Sequence, residues 1–253
     1  MTTAHGPTSE RIAAQVSALG VRESGVLLVH SSLSSMGHVE GGPETVIDGL
    51  LQALGSQGTL LLPALSYATV GAEQTHFNRE TTPSCVGAIT EYFRTRSGTK
   101  RSGSPTHSVC ATGLLADQIV ADHHLDTTPV GARSPLRKLP ELGGQLLFLG
   151  CGLRPNTSMH GVEELVQPPY LFGNPVIYQL ELGTQKRQIT CRRHGFAGWN
   201  QRYERVAELL REDGLQQGPV LAAEAHLLET RLMWERGEAA LRADPFAFVS
   251  QDG

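Results

Sequence analysis

The chain has 253 residues, 40% of them hydrophobic and 18% charged, a globular composition long enough to bury a sizeable core. Its formal charge of −4 lacks the basic excess of a nucleic-acid-binding domain. The longest apolar stretches, residues 58–65 and 145–153, fall far short of the ~20 residues that span a bilayer. Residues 1–6, Met-Thr-Thr-Ala-His-Gly, show no basic start followed by an apolar run, so no secretory signal is expected. Cys85, Cys110, Cys151 and Cys191 form no Cys-x-x-Cys pair, which argues against a zinc ribbon or thioredoxin-type motif and for reduced thiols. A soluble cytoplasmic protein is expected, with neither nucleic acid nor membrane as partner.

Short apolar runs alternate with amphipathic stretches, which predicts an α/β fold: one domain over residues 1–253 with a mixed central sheet flanked by helices. Residues 1–7 read as a flexible leader. A helix is expected from Thr8 or Ser9 to Leu19, with Ile12, Val16 and Leu19 on one stripe. Gly25–His30 reads as a buried strand, and Pro43 opens a helix that ends at Gly55. Gly58–Pro63 is a second buried strand. Residues 65–83 carry no period and read as a long active-site loop. A helix at Ser84–Arg96, a strand at Thr106–Thr112 and a short helix at Leu114–Ala121 follow. The strand Gln145–Gly150 leads through Asn156 and Thr157 into a helix. Val176–Leu182 and Gln188–Arg192 form a hairpin around Gly183-Thr184, and helices at Asn200–Arg211 and Glu229–Arg236 complete the chain.

In the segment Asn156-Thr-Ser-Met-His-Gly-Val-Glu, His160 and Glu163 lie three apart and share a helix face. A carboxylate that orients a histidine and stabilises its imidazolium makes a general base for work near pH 7. The same spacing also occurs in solvated surface pairs. For a metal site this segment offers two ligands and no identifiable third, so no metal is expected. Lys100–Ser108 combines two cations, hydroxyls and His107 ahead of a strand; it suits a phosphate or a thioester oxygen, or is a simple turn. His30-Ser31-Ser32 ends the first strand, on the edge where open α/β sheets bind ligands. Residues 37–43 lead into a helix N-terminus able to hold an anion. Cys151, just after a strand, raises a Cys–His–Glu nucleophilic alternative, although no Gly-x-Ser-x-Gly elbow supports a serine hydrolase.

Taken in order, these segments resemble the aminoglycoside 3-N-acetyltransferase family. The landmarks are Val-His-Ser-Ser-Leu-x-x-Met-Gly (29–37), Gly-Gly-Pro-Glu-x-Val-Ile-Asp (41–48) and Gly-Thr-Leu-Leu-Leu-Pro (58–63). Thr-Pro-Ser-Cys-Val-Gly-Ala-Ile-x-Glu-x-Phe-Arg (82–94) and Arg-Ser-x-x-Pro-Thr-His-Ser-Val (101–109) follow, then Ser-Pro-Leu-x-Lys-Leu (134–139) and Asn-Thr-Ser-x-His-x-x-Glu (156–163). The resemblance implies acetyl-CoA as cosubstrate and an amine of a 2-deoxystreptamine aminoglycoside as acceptor, acetylated at its 3-amino group by direct transfer. It implies His160 with Glu163 as the base, and His107 and His30 as further catalytic residues. Ser31, Ser32, Val39, Gly41, Gly42, Ser104, Ser108 and Thr157 would bind the cofactor. Because such acceptors are polycations, Glu73, Glu80, Asp122 and Asp126 are the expected substrate-binding acids. A monomer or homodimer is expected.

Two features depart from the family. Ser104 stands where most members carry a histidine, and the 65–83 loop is short. Three readings therefore remain beside the aminoglycoside enzyme: a transferase for another small amine such as an aminophosphonate, a Cys/Ser–His–Glu hydrolase, and an idle CoA-binding homologue.

Overall fold

Along the strand Val26–Ser31, side chains alternate between two dry faces. Leu27 and Val29 pack with Ile12, Ile47, Leu50 and Phe93; Val26 and Leu28 pack with Val162, Met233, Trp234 and Leu241. A strand buried on both faces belongs in the middle of a sheet. In the computed structural model, which describes residues 7–251, it does lie there. The seven strands run in the order Leu215–Val220, Ala223–Glu229, Gln145–Leu149, Val26–Ser31, Thr59–Pro63, Val109–Gly113, Lys100–Arg101. The three central ones are parallel, with His30 beside Phe148 and Leu27 beside Leu60. The outer pairs are antiparallel, so the sheet is mixed.

Helices Pro7–Leu19, Pro43–Leu54 and Ala88–Thr95 cover one face, and Met159–Val166 and Thr230–Ala243 cover the other. Burial of each leucine or isoleucine there is worth roughly 1.5–3 kcal/mol. A second sheet, His76–Asn78 with the hairpin Phe172–Leu182 and Gln185–His194, has its own core of Phe77, Val176, Tyr178 and Leu180. No helix among the described residues is long and apolar enough to cross a membrane.

Several expectations need correction. The 65–83 segment is not all loop, because His76–Asn78 pairs in parallel with Gln179–Glu181. The helix expected at Ser84 starts at Ala88, since the Cys85 amide is tied to the Leu65 carbonyl. In place of a helix over 200–211 there is a 3-10 turn, Tyr203–Arg205, and one helical turn, Val206–Leu209. The hairpin of Leu215–Val220 and Ala223–Glu229 was not foreseen; its outer strand holds Gly218 and Pro219, which only a sheet edge tolerates. The expected leader lies outside the described residues as far as residue 6, while residue 7 already opens the first helix.

Candidate active site

The carboxyl ends of the parallel strands open onto a cavity of about 490 Å³, lined by Ser31, Pro63 and Cys151 from the strand ends. That edge collects ligands in open α/β sheets because loops diverge there. His30, His107, Thr157 and His160 line it too, with His194, Phe196 and Tyr203 closing the far wall. Leu65 and Tyr67 bring the start of the 65–83 segment to the cavity.

His160 sits in the first turn of Met159–Val166, and that helix lies close against Thr230–Ala243. Gly161 permits the approach, since a Cβ there would overlap the Trp234 ring. Trp234 Nε1 donates to the Ser158 hydroxyl at 2.9 Å, and the Ser158 amide donates to Asn156 Oδ1 at 3.2 Å, fixing the turn that delivers the histidine.

Glu163 is fully buried, and its Oε2 lies 3.3 Å from His160 Nδ1. The shorter path runs through Tyr203. Its hydroxyl donates to Glu163 Oε2 at 2.7 Å and lies 2.9 Å from His160 Nδ1. With its one proton given to Glu163, the Tyr203 oxygen accepts from Nδ1–H. This sets the tautomer and leaves the Nε2 lone pair of His160 free. Tyr170 donates to the other carboxylate oxygen at 2.9 Å. Burial, reinforced by Glu163, pushes the Tyr203 hydroxyl well above its usual range, so it remains a donor at neutral pH.

Burial lowers His30 to about 3, and burial with the neighbouring imidazoles holds His107 well below the usual range. Both are therefore neutral at pH 7. His30 stacks on Phe148 at 4.8 Å and reaches Thr157 Oγ1 at 3.4 Å; His107 Nδ1 reaches Thr106 Oγ1 at 2.9 Å. Burial pushes the Cys151 thiol up to about 11, so at pH 7 it is not a thiolate nucleophile.

Of the expected cofactor-binding residues, Ser31 and Thr157 line the cavity and the others do not. Ser108 is fully buried, donating to the Ala64 carbonyl and accepting from Arg101 Nε, so it braces two strands. Ser104 accepts from the His107 amide at 3.2 Å and shapes the His107 turn. The Ser32 hydroxyl bonds its neighbours Ser34 and Ser35. Val39 packs in the core, and Gly41 and Gly42 take positive φ in the turn before Pro43–Leu54. The four expected acids also lie elsewhere. Glu73 and Asp122 are exposed outside the cavity lining, Glu80 pairs with Arg79, and Asp126 is buried against the Arg133 amide. The lining contains one cation, Arg154, and no carboxylate.

Tyr203, Phe196, His194 and Tyr170 were not among the expected site residues. None belongs to a local motif; the first three reach the cavity, and Tyr170 reaches Glu163 behind it, only through tertiary packing.

The architecture and the buried, tyrosine-linked histidine–carboxylate pair define the class: an α/β domain with an imidazole-lined cavity at the edge of its sheet. A family model described as aminoglycoside 3-N-acetyltransferase matches residues 28–242. Aminoglycoside N(3)-acetyltransferase IV of a Salmonella species is 34% identical over 242 residues, covering 91% of this chain and 86% of that protein. Aminoglycoside N(3)-acetyltransferase VII of Streptomyces paromomycinus is 29% identical, with 92% and 91% covered. The crystal structure of a histidine-to-alanine variant of AAC(3)-IVa in complex with a gentamicin superposes with a TM-score of 0.82 at 31% identity, covering 98% of this chain and 93% of that one. AAC-IIIb with CoASH superposes at 0.81 and 28% identity, covering 93% and 96%. The chain belongs to the aminoglycoside 3-N-acetyltransferase family, and it is an enzyme of that type.

Proposed function

We propose that the chain transfers the acetyl group of acetyl-CoA to the 3-amino group of a 2-deoxystreptamine aminoglycoside, directly within a ternary complex in the cytoplasm, and so confers resistance. The observation that carries this reading is His160, held through Nδ1 by Tyr203 and Glu163 with Nε2 left free at the cavity. The relatives are named for this reaction, and two related structures hold a gentamicin and CoASH.

An alkylammonium near pKa 10 has no lone pair, and most of the amine is in that form at pH 7. One proton leaves to solvent. As the neutral nitrogen attacks the thioester carbon, its second proton passes to His160 Nε2; such a positioned base typically contributes 10²–10⁴-fold. The C–N bond forms, the C–S bond breaks, and His160 returns the proton to the departing CoA sulfur. Glu163 stabilises the transient imidazolium through Tyr203. The Ser31 hydroxyl and the His107 ring are the cavity groups offered to the tetrahedral oxyanion. Arg154, at the exposed part of the lining, suits the phosphates of the nucleotide.

The test mixes enzyme, acetyl-CoA and a panel of amines and follows thiol release. Release with gentamicin or apramycin, and mapping of the acetyl group to the 3-amino position, supports the reading. Release only with an anionic amine such as an aminophosphonate, or an acetylated enzyme formed without any amine, overturns it.

A further inference from the structure

His194 has no part in the acetyl transfer described above, yet it forms one wall of the site. Three imidazoles from three elements converge there: His107 from the turn before Val109–Gly113, His160 from its helix, and His194 from the end of Gln185–His194. Ring centroids are 5.4 Å apart for His107 and His160, 5.2 Å for His107 and His194, and 4.8 Å for His160 and His194. One ring nitrogen from each lies within 4.8 Å of the other two.

One nitrogen of each ring is held by an oxygen, which leaves the other as the one available to a ligand. His107 Nδ1 meets Thr106 Oγ1 at 2.9 Å, His160 Nδ1 meets Tyr203 at 2.9 Å, and His194 Nε2 meets Glu164 Oε1 at 2.8 Å. Glu164 is itself fixed, accepting from the Val130 amide at 2.8 Å. Oxygen partners on the far nitrogens are what fix tautomer and orientation in histidines that bind metals. The remaining nitrogen of His194, Nδ1, is buried and has no hydrogen-bond partner, on a side chain only 4% exposed.

We propose that His107, His160 and His194 form a three-histidine Zn²⁺ site whose fourth position faces the cavity, and that Zn²⁺ bound there inhibits acetyl transfer. Three imidazoles with an open fourth position suit zinc, whereas Mg²⁺ and Ca²⁺ favour carboxylate oxygens, and this lining contains no carboxylate. Zn–N bonds of about 2.0–2.1 Å require the three rings to draw together from their present spacing. Inhibition follows from the electron count: the His160 lone pair that binds zinc is the one that would take the amine's proton. That half of the proposal rests on the base assignment; the binding half does not.

The test uses metal-free full-length enzyme with Cys85→Ser and Cys151→Ser, which removes the thiols able to compete for the ion. Co²⁺ titration should give the visible spectrum of one four-coordinate ion per chain, displaced by Zn²⁺. His194→Asn should abolish that spectrum and weaken Zn²⁺ at least 100-fold in competition with a chromophoric chelator. Glu164→Gln, which keeps every ligand, should weaken it by about 10–100-fold. Zn²⁺ should inhibit thiol release at the concentration that fills the site, and a chelator should restore it. Affinity no tighter than millimolar, or binding indifferent to both variants, overturns the site. Tight binding without inhibition keeps the site but overturns the inhibition and, with it, His160 as base.

Discussion

The Tyr203 hydroxyl stands 2.9 Å from His160 Nδ1, closer than the 3.3 Å between that nitrogen and the nearest oxygen of Glu163. The proposed base is thus one end of a three-membered chain in which the phenol links the carboxylate to the ring. Tyr203→Phe removes the link and leaves both ends. A hydrogen bond to a charged group is worth about 1.5–3 kcal/mol, which predicts a loss of roughly 10- to 100-fold in kcat. Steady-state kinetics checks this, with KM for acetyl-CoA expected to stay near wild type.

Glu163 accepts from both Tyr170 and Tyr203 while fully buried. Glu163→Gln preserves an acceptor and should lose less activity than His160→Ala. Glu163→Ala strands two buried phenols, each costing about 1–3 kcal/mol, and should lower the melting temperature as well. Thermal unfolding beside kcat separates the two effects.

Cys151 lines the cavity with its thiol pushed up to about 11. Cys151→Ser should keep kcat within the wild-type order of magnitude, and intact mass should show no acetyl-enzyme after acetyl-CoA alone.

Stability should fall in acid. Burial lowers His30 to about 3 and His123 to about 4, so the unfolded chain binds protons more readily than the folded one below about 6.5. Each contributes a slope of about 1.4 kcal/mol per pH unit as pH drops from 6.5 towards 4, and nothing above. Glu164, pushed up mainly by burial, opposes this over the carboxylate range. Urea unfolding at pH 7.5, 6 and 5 should show a progressive loss of stability, and equal stability at all three would contradict it.

The parallel core was legible because its strands are short apolar runs bounded by Gly and Pro, and its helices carry clean stripes such as Val46, Ile47 and Leu50. His160 with Glu163 was legible because three residues along a helix make one face. The rest was hidden for physical reasons. His194 ends a polar hairpin strand, and Tyr203 lies in a 3-10 turn, so both reach the cavity through contacts far apart in sequence. The expected acids lie outside the cavity lining because charge in a sequence does not say which way a loop faces: Asp126 is bound to its own loop's Arg133 amide. Ser104 and Ser108, close to His107 in sequence, turn inward to hold the backbone.

The base role of His160 is tested most directly by comparing kcat of wild type and His160→Ala for acetyl transfer from acetyl-CoA to gentamicin at pH 7, with acetyl-CoA binding measured alongside. A fall of roughly 10²-fold or more is expected, with acetyl-CoA affinity nearly unchanged. A folded His160→Ala enzyme with near wild-type kcat would contradict it.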